Sequence, residues 1–223
     1  MDERTLVDIR QYSFDEFVSF LFARDVQFEA EQSDLNKWDP WDRHIEVIFD
    51  SEQVSRHYVR LFTEPGFLLE RFSKAQLEDG FWAIQGPNLD CSVLRILEST
   101  PPVASREQCV SSMFYLFRDF FAKEPLETAG SMWWDSLCFS WHRGNRERSK
   151  DGEDLRLQNV IFQTLVRILD LDSEFCHRAS LHGLGHLQHP DTEKVIEEFI
   201  GKHPSLTDAQ KAYALAAARF KVL

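Results

Sequence analysis

The sequence predicts an all-α protein, and three observations carry that reading. Four capping-box pairs mark helix starts: Ser13 with Glu16, Ser73 with Gln76, Ser105 with Gln108, and Thr207 with Gln210. In such a pair the Ser or Thr hydroxyl accepts a first-turn N–H, and the Glu or Gln side chain reaches back to the cap's own N–H. Apolar residues recur at three- and four-residue steps, as one face of a helix requires. The period-two alternation of a half-buried strand is sustained nowhere, so little or no sheet is expected.

Taken in order, the first segment is distinguished by charge. Residues 1–52 hold fourteen Asp or Glu against five Lys or Arg, a net −9 out of −12 for the whole chain. Such a field repels nucleic-acid phosphates and anionic lipid headgroups and attracts a basic partner, although acidic surfaces also serve solubility alone. Asp34, Asp39 and Asp42 are the candidate binding residues of this face. Between them, Trp38-Asp-Pro-Trp41 reads as a turn clamped by aromatics.

Pro65–Gly66, Gly86–Pro87 and Pro101–Pro102 break the chain into short helical pieces. After Ser105, Val110, Met113, Phe114, Phe117, Phe120 and Phe121 form one apolar stripe that Pro125 ends. Trp133, Trp134 and Trp141 then gather around Asp135. That cluster has two readings, an aromatic recognition surface with an acidic centre or a helix whose indoles fill the core. Arg143 to Gly152 is polar and basic and reads as a solvated connector. Residues 1–150 are thus expected to form an irregular helical region packed on the rest.

Residues 151–223 change character. Helices are expected at 155–170, 173–188, 190–200 and 207–221, with Gly201 and Pro204 as stop signals after the third. The first carries Leu157, Val160, Ile161, Leu165, Ile168 and Leu169 as its apolar stripe. The stretch Arg178-Ala-Ser-Leu-His-Gly-Leu-Gly-His-Leu-Gln-His-Pro190 resembles the first helix and turn of HEAT-like repeats. Leu181, Leu184, Gly185, Leu187 and Pro190 match that pattern, while Gln188 and His189 stand where Gly-Asp is usual. Val195, Ile196, Phe199 and Ile200 supply the packing face of the second helix. The resemblance spans about 70 residues and implies an α-α superhelix of stacked helical hairpins. Gly185 is the position where helices approach closely.

Three functions follow as expectations. The first is a non-enzymatic, HEAT-like interaction module that binds a basic protein partner, as an inhibitor or immunity-type protein would. The second rests on Trp134 and Asp135, which are similar to the Trp and Asp that HEAT-like alkylpurine DNA glycosylases set around damaged DNA. A repair activity is what that similarity implies. Its weakness is charge, since only Arg143, Arg146, Arg148 and Lys150 form a basic patch for phosphates. The third is a metal-dependent hydrolase using His182 and His186, four apart on one helix face, with Asp191 or Glu193 as carboxylate ligand. The H-E-x-x-H form is absent, and the HEAT-like alignment turns both histidines outward, so no metal and no cofactor are expected.

Nucleophile-elbow, phosphate-loop and dinucleotide signatures are missing. Cys91, Cys109, Cys138 and Cys176 are far apart and contain no C-x-x-C pair. Neither a signal peptide nor an apolar run of membrane-spanning length is present, so the expected location is the cytoplasm.

Overall fold

The computed structural model of the protein describes residues 5–23, 45–98, 100–147 and 152–222. Asp34, Asp39, Asp42 and the Trp38–Trp41 turn lie outside the described residues. In chain order the elements are β1 (Thr5–Asp8), α1 (Phe14–Phe22), β2 (Ile45–Ile48), α2 (Ser51–Thr63), α3 (Leu68–Arg71), α4 (Lys74–Gln85) and α5 (Val93–Glu98). They continue with α6 (Val103–Leu116), α7 (Trp133–His142), α8 (Gly152–Leu169), α9 (Glu174–Leu187), α10 (Thr192–Lys202) and α11 (Asp208–Ala218). The fold is all-α. Among the described residues the one sheet is the parallel pair β1–β2, in register from Thr5 opposite Ile45 to Asp8 opposite Ile48. The outer N–H of Val47 donates to the Asp90 carboxylate at 2.9 Å, so this edge is capped by a side chain.

Three of the four capping boxes form as read, at Ser13, Ser73 and Thr207. Ser105 does not cap a helix. The chain turns helical directly after Pro102, whose carbonyl accepts the N–H of Ser105 at 2.9 Å and of Arg106 at 3.2 Å, so Ser105 falls within the first turn of α6. Three further starts use a lone side-chain cap, one of them at α5, where Ser92 accepts the Arg95 N–H at 3.3 Å. Asp50 accepts the Gln53 N–H at 2.7 Å, and Ser173 accepts the Cys176 N–H at 3.4 Å.

The core is aromatic. Phe81 meets Phe120, Phe121 and Trp133 with ring centroids 5.3 to 6.0 Å apart, and Phe62 sits edge-on to Trp133. The stripe of α6 runs on into a π turn at Phe117–Phe121, where the Ala122 N–H reaches back to the Phe117 carbonyl at 2.8 Å. The extra residue per turn brings Phe117, Phe120 and Phe121 all inward, where each is fully buried. Around this core α2 packs on α6, α6 on α8 and α8 on α9, and α9 also touches α7 and α11. One cluster of buried side chains runs from Ile9 to Val222.

The four C-terminal helices occur close to where the sequence places them, with two local differences. Gly201 does not end α10, which continues to Lys202 and closes on His203; there both the N–H and ring Nδ1 approach the Phe199 carbonyl. At the end of α9, Gln188 takes a left-handed conformation, φ 55°, the position the HEAT-like pattern gives to glycine. In the connector after α7, Arg143 to Asn145 are exposed as read, and Arg146 is the residue that departs from a solvated loop. Arg146 is largely buried, donating to Asp154 at 2.9 Å and to the Leu97 carbonyl at 3.3 Å. No helix among the described residues is long and apolar enough to cross a membrane.

Candidate metal centre

The α9 helix carries His182 and His186 one turn apart, so both project from one face. Contrary to the outward placement of the HEAT-like alignment, that face is buried: His182 is 7% exposed and His186 2%. The reason lies in the glycines between them. A Cβ on Gly183 would come within 2.7 Å of Trp134 and 2.8 Å of Leu165, and one on Gly185 within 2.5 Å of Val222. Bare backbone at these two positions lets α7, α8 and α11 close on α9 from three sides. No outer face remains for the histidines.

What they meet is Asp135. It stands in the first turn of α7, where the helix N-terminus favours a carboxylate. Its Oδ1 lies 3.4 Å from His182 Nε2 and 3.1 Å from His186 Nε2. The His182 hydrogen bond and then the close approach of His186 hold the Asp135 carboxyl well below the usual carboxylate range, against the opposing effect of burial. The His186 contact is close but poorly aligned. Its Nε2 is buried and has no well-formed hydrogen bond. Each of the three residues offers one ligand atom, all within 4.8 Å of one another.

The far sides of the rings are also engaged. His182 Nδ1 stands 3.0 Å from the Tyr213 hydroxyl of α11, and His186 Nδ1 stands 3.4 Å from His142 Nδ1 at the end of α7. Phe139 stacks on His142 and stands perpendicular to the His186 ring, with centroids 5.3 Å apart. Burial pushes the Tyr213 phenol up, so it remains a neutral hydroxyl at physiological pH. The Asp135 side chain keeps 33% of its surface exposed and is the solvent side of the cluster.

Two imidazoles and a carboxylate suit a borderline divalent cation such as zinc. Three protein ligands leave one position open, the pattern of catalytic rather than structural zinc sites. Cys138, one turn along α7, is not part of this group of ligand atoms, and burial with the nearby Asp135 charge pushes its thiol well up.

The sequence-derived candidates fare differently. Trp133 and Trp134 are fully buried and Trp141 nearly so; the cluster is core, and of its members only Asp135 reaches the surface. Trp133 donates its indole N–H to Met113 Sδ at 3.4 Å. Asp191 is not the carboxylate beside the histidine pair, since it lies at the surface 3.8 Å from His189. Glu193 is exposed and outside the cluster. Sequence reasoning found the two histidines and Asp135 separately but not their meeting, and it missed Tyr213 and His142. Only the i, i+4 histidine spacing signalled the site. No family model, curated protein or solved structure matches the chain.

Proposed function

We propose that this protein holds a divalent transition-metal ion, zinc by the character of the donors, on Asp135, His182 and His186, and that it is a metal-dependent hydrolase. The observation that carries the reading is the convergence of three ligand atoms within 4.8 Å, one of them a buried imidazole nitrogen without a proper hydrogen bond. A bound ion of this kind lowers the pKa of a coordinated water and polarises a carbonyl or phosphoryl oxygen. The chain's own part is positional. The α9 backbone fixes the two imidazoles at helical spacing, α7 presents an ionised carboxylate between them, and the exposed flank of Asp135 gives access.

The test is metal analysis of purified protein, followed by stripping with a chelator and reloading with zinc. One ion per chain is expected, lost in His182→Ala and in His186→Ala, and the loaded protein should hydrolyse an activated aryl ester or phosphodiester. No stoichiometric ion in the wild-type chain overturns the centre. A tightly held ion without any zinc-dependent hydrolysis overturns the reaction and leaves the ion.

A second reading, a HEAT-like module that binds a basic protein, is favoured by the net −9 concentrated in residues 1–52. The succession of α8 to α11 across short turns supports the repeat kinship. Capture of a basic partner that weakens with salt and with charge reversal at Asp34, Asp39 and Asp42 would bear it out. Binding indifferent to both would remove it.

A further inference from the structure

We infer that Tyr213 and His142 are the positioning residues of the centre, each holding the Nδ1 side of one ligand histidine so that its Nε2 lone pair faces Asp135. The inference rests on the metal reading above and concerns how the site is set.

A neutral imidazole has one protonated and one bare nitrogen. Ligation through Nε2 therefore demands the proton on Nδ1, and a buried Nδ1–H needs an acceptor. Both ligand histidines have one. The Tyr213 hydroxyl lies 3.0 Å from His182 Nδ1, and His142 Nδ1 lies 3.4 Å from His186 Nδ1. These partners come from different helices, 31 residues after one histidine and 44 before the other. Tyr213 is supplied by α11, which the bare Gly185 backbone allows to lie against α9. His142 is held by its stack on Phe139.

The kind of partner separates this pair from three of the other described histidines. His57 Nε2 faces the Tyr12 carbonyl at 3.1 Å, His177 Nε2 the Leu171 carbonyl at 2.7 Å, and His203 Nδ1 the Phe199 carbonyl at 2.8 Å. A carbonyl only accepts, so each of those nitrogens is fixed as a donor. A tyrosine hydroxyl and a neutral imidazole nitrogen serve as either donor or acceptor. The contacts behind His182 and His186 can therefore run in both directions.

Without an ion, Tyr213 O–H donates to His182 Nδ1 while His182 Nε2–H donates to Asp135. His142 Nδ1–H likewise donates to His186 Nδ1, leaving the His186 Nε2–H directed toward the same carboxylate. With an ion, each ring carries its proton on Nδ1 and donates it outward, to the Tyr213 oxygen and to His142 Nδ1. The proton count of each imidazole is the same in both states. Three of the four ring nitrogens thus keep a partner empty or loaded; His186 Nε2 alone lacks a proper hydrogen bond until an ion arrives, and the ion enters and leaves a folded protein.

The experiment compares the full chain with Tyr213→Phe, His142→Ala and His142→Asn, using zinc alone against a chromophoric chelator and nitrogen-15 NMR of the histidine rings. Zinc binding is expected to weaken about 10- to 100-fold in Tyr213→Phe and His142→Ala, the usual effect of losing an outer partner. His142→Asn, whose amide oxygen stands near the Nδ1 position, should recover most of the loss. In the zinc-loaded wild type the His182 and His186 rings should read as Nδ1–H with a metal-bound Nε2, and the tautomer should mix in the variants. Circular dichroism of the zinc-free variants shows whether they fold. Should Tyr213→Phe fail to fold, the His142 pair decides alone. If the wild type takes up no zinc, the centre itself is refuted. Zinc uptake by the variants within about twofold of wild type, with an unchanged ring spectrum, refutes the positioning roles alone.

Discussion

Gly183 lies against Trp134 so closely that a methyl group on the glycine would stand 2.7 Å from the tryptophan Cβ. Their chain neighbours, His182 and Asp135, are the two residues that face each other across the same seam. The contact therefore sets the α7–α9 distance on which the centre depends.

Replacing Gly183 by alanine should force α7 and α9 apart. Trp134 Cβ and Leu165 Cδ2 would both be overrun, and neither belongs to a side chain with room to swing away. A loss of about 1–3 kcal/mol is expected from overpacking, read as a lower urea midpoint at unchanged slope. The same variant should hold zinc less tightly than wild type. An unchanged midpoint would show that the seam can spread freely.

Adding zinc should raise the thermal midpoint, because an ion that binds only the folded chain stabilises it by mass action. At a hundredfold excess over its dissociation constant the gain is about 2.7 kcal/mol, or several degrees for a chain of this size. His186→Ala should abolish the shift. Chelator should lower the midpoint without unfolding the protein, since Asp135, Tyr213 and His142 still partner three of the four histidine nitrogens when the ion is gone and only His186 Nε2 is left orphaned.

Mild acid should destabilise the fold through two other histidines. Burial pushes both His57 and His177 below their ordinary 6.5, only partly offset by a hydrogen bond from each to a backbone carbonyl. Below pH 6.5 the unfolded chain binds more protons than the folded one, so stability falls as pH drops from there toward the lower folded values. Asp135 acts in a more acidic window. Its contribution is full above 3.8 and is lost as pH falls toward its depressed folded value. Urea unfolding at pH 7.5 and 5.5 measures the first effect, and His177→Gln should flatten that slope.

Gln188 ends α9 in a left-handed conformation that costs a side-chain-bearing residue about 1–2 kcal/mol. Glycine relieves that strain but loses more chain entropy on folding, about 0.5–1 kcal/mol. Gln188→Gly should therefore stabilise the protein by up to about 1 kcal/mol, and chemical denaturation reads the difference directly. A destabilised variant would mean that the glutamine side chain contributes more than its backbone costs.

The helices were legible because their signals are local. Ser13, Ser73 and Thr207 cap what they should cap, and the spacing of Leu181, Leu184 and Leu187 marks one buried stripe of α9. Ser105 misled because a capping pair three residues past a proline is outrun by the helix that proline starts. The strands were not legible, since Thr5–Asp8 and Ile45–Ile48 have four residues each and acquire meaning only from one another. The site was half legible. The histidine pair shows in the sequence, but whether it faces water depends on what Gly183 and Gly185 allow to pack around it. Asp135 is 47 residues from His182, a separation at which only the tertiary fold decides who meets whom.

The four cysteines give the fold four internal witnesses. Cys91 precedes α5, Cys109 lies in α6, Cys138 in α7 and Cys176 in α9, and every thiol is free and buried. An alkylating reagent reaches each sulfur only when the surrounding helices part, so labelling rates at the four positions chart which regions open first. Cys138, one turn from Asp135, then reports how often the seam beside the centre breathes, with or without zinc, in a chain that needs no added probe.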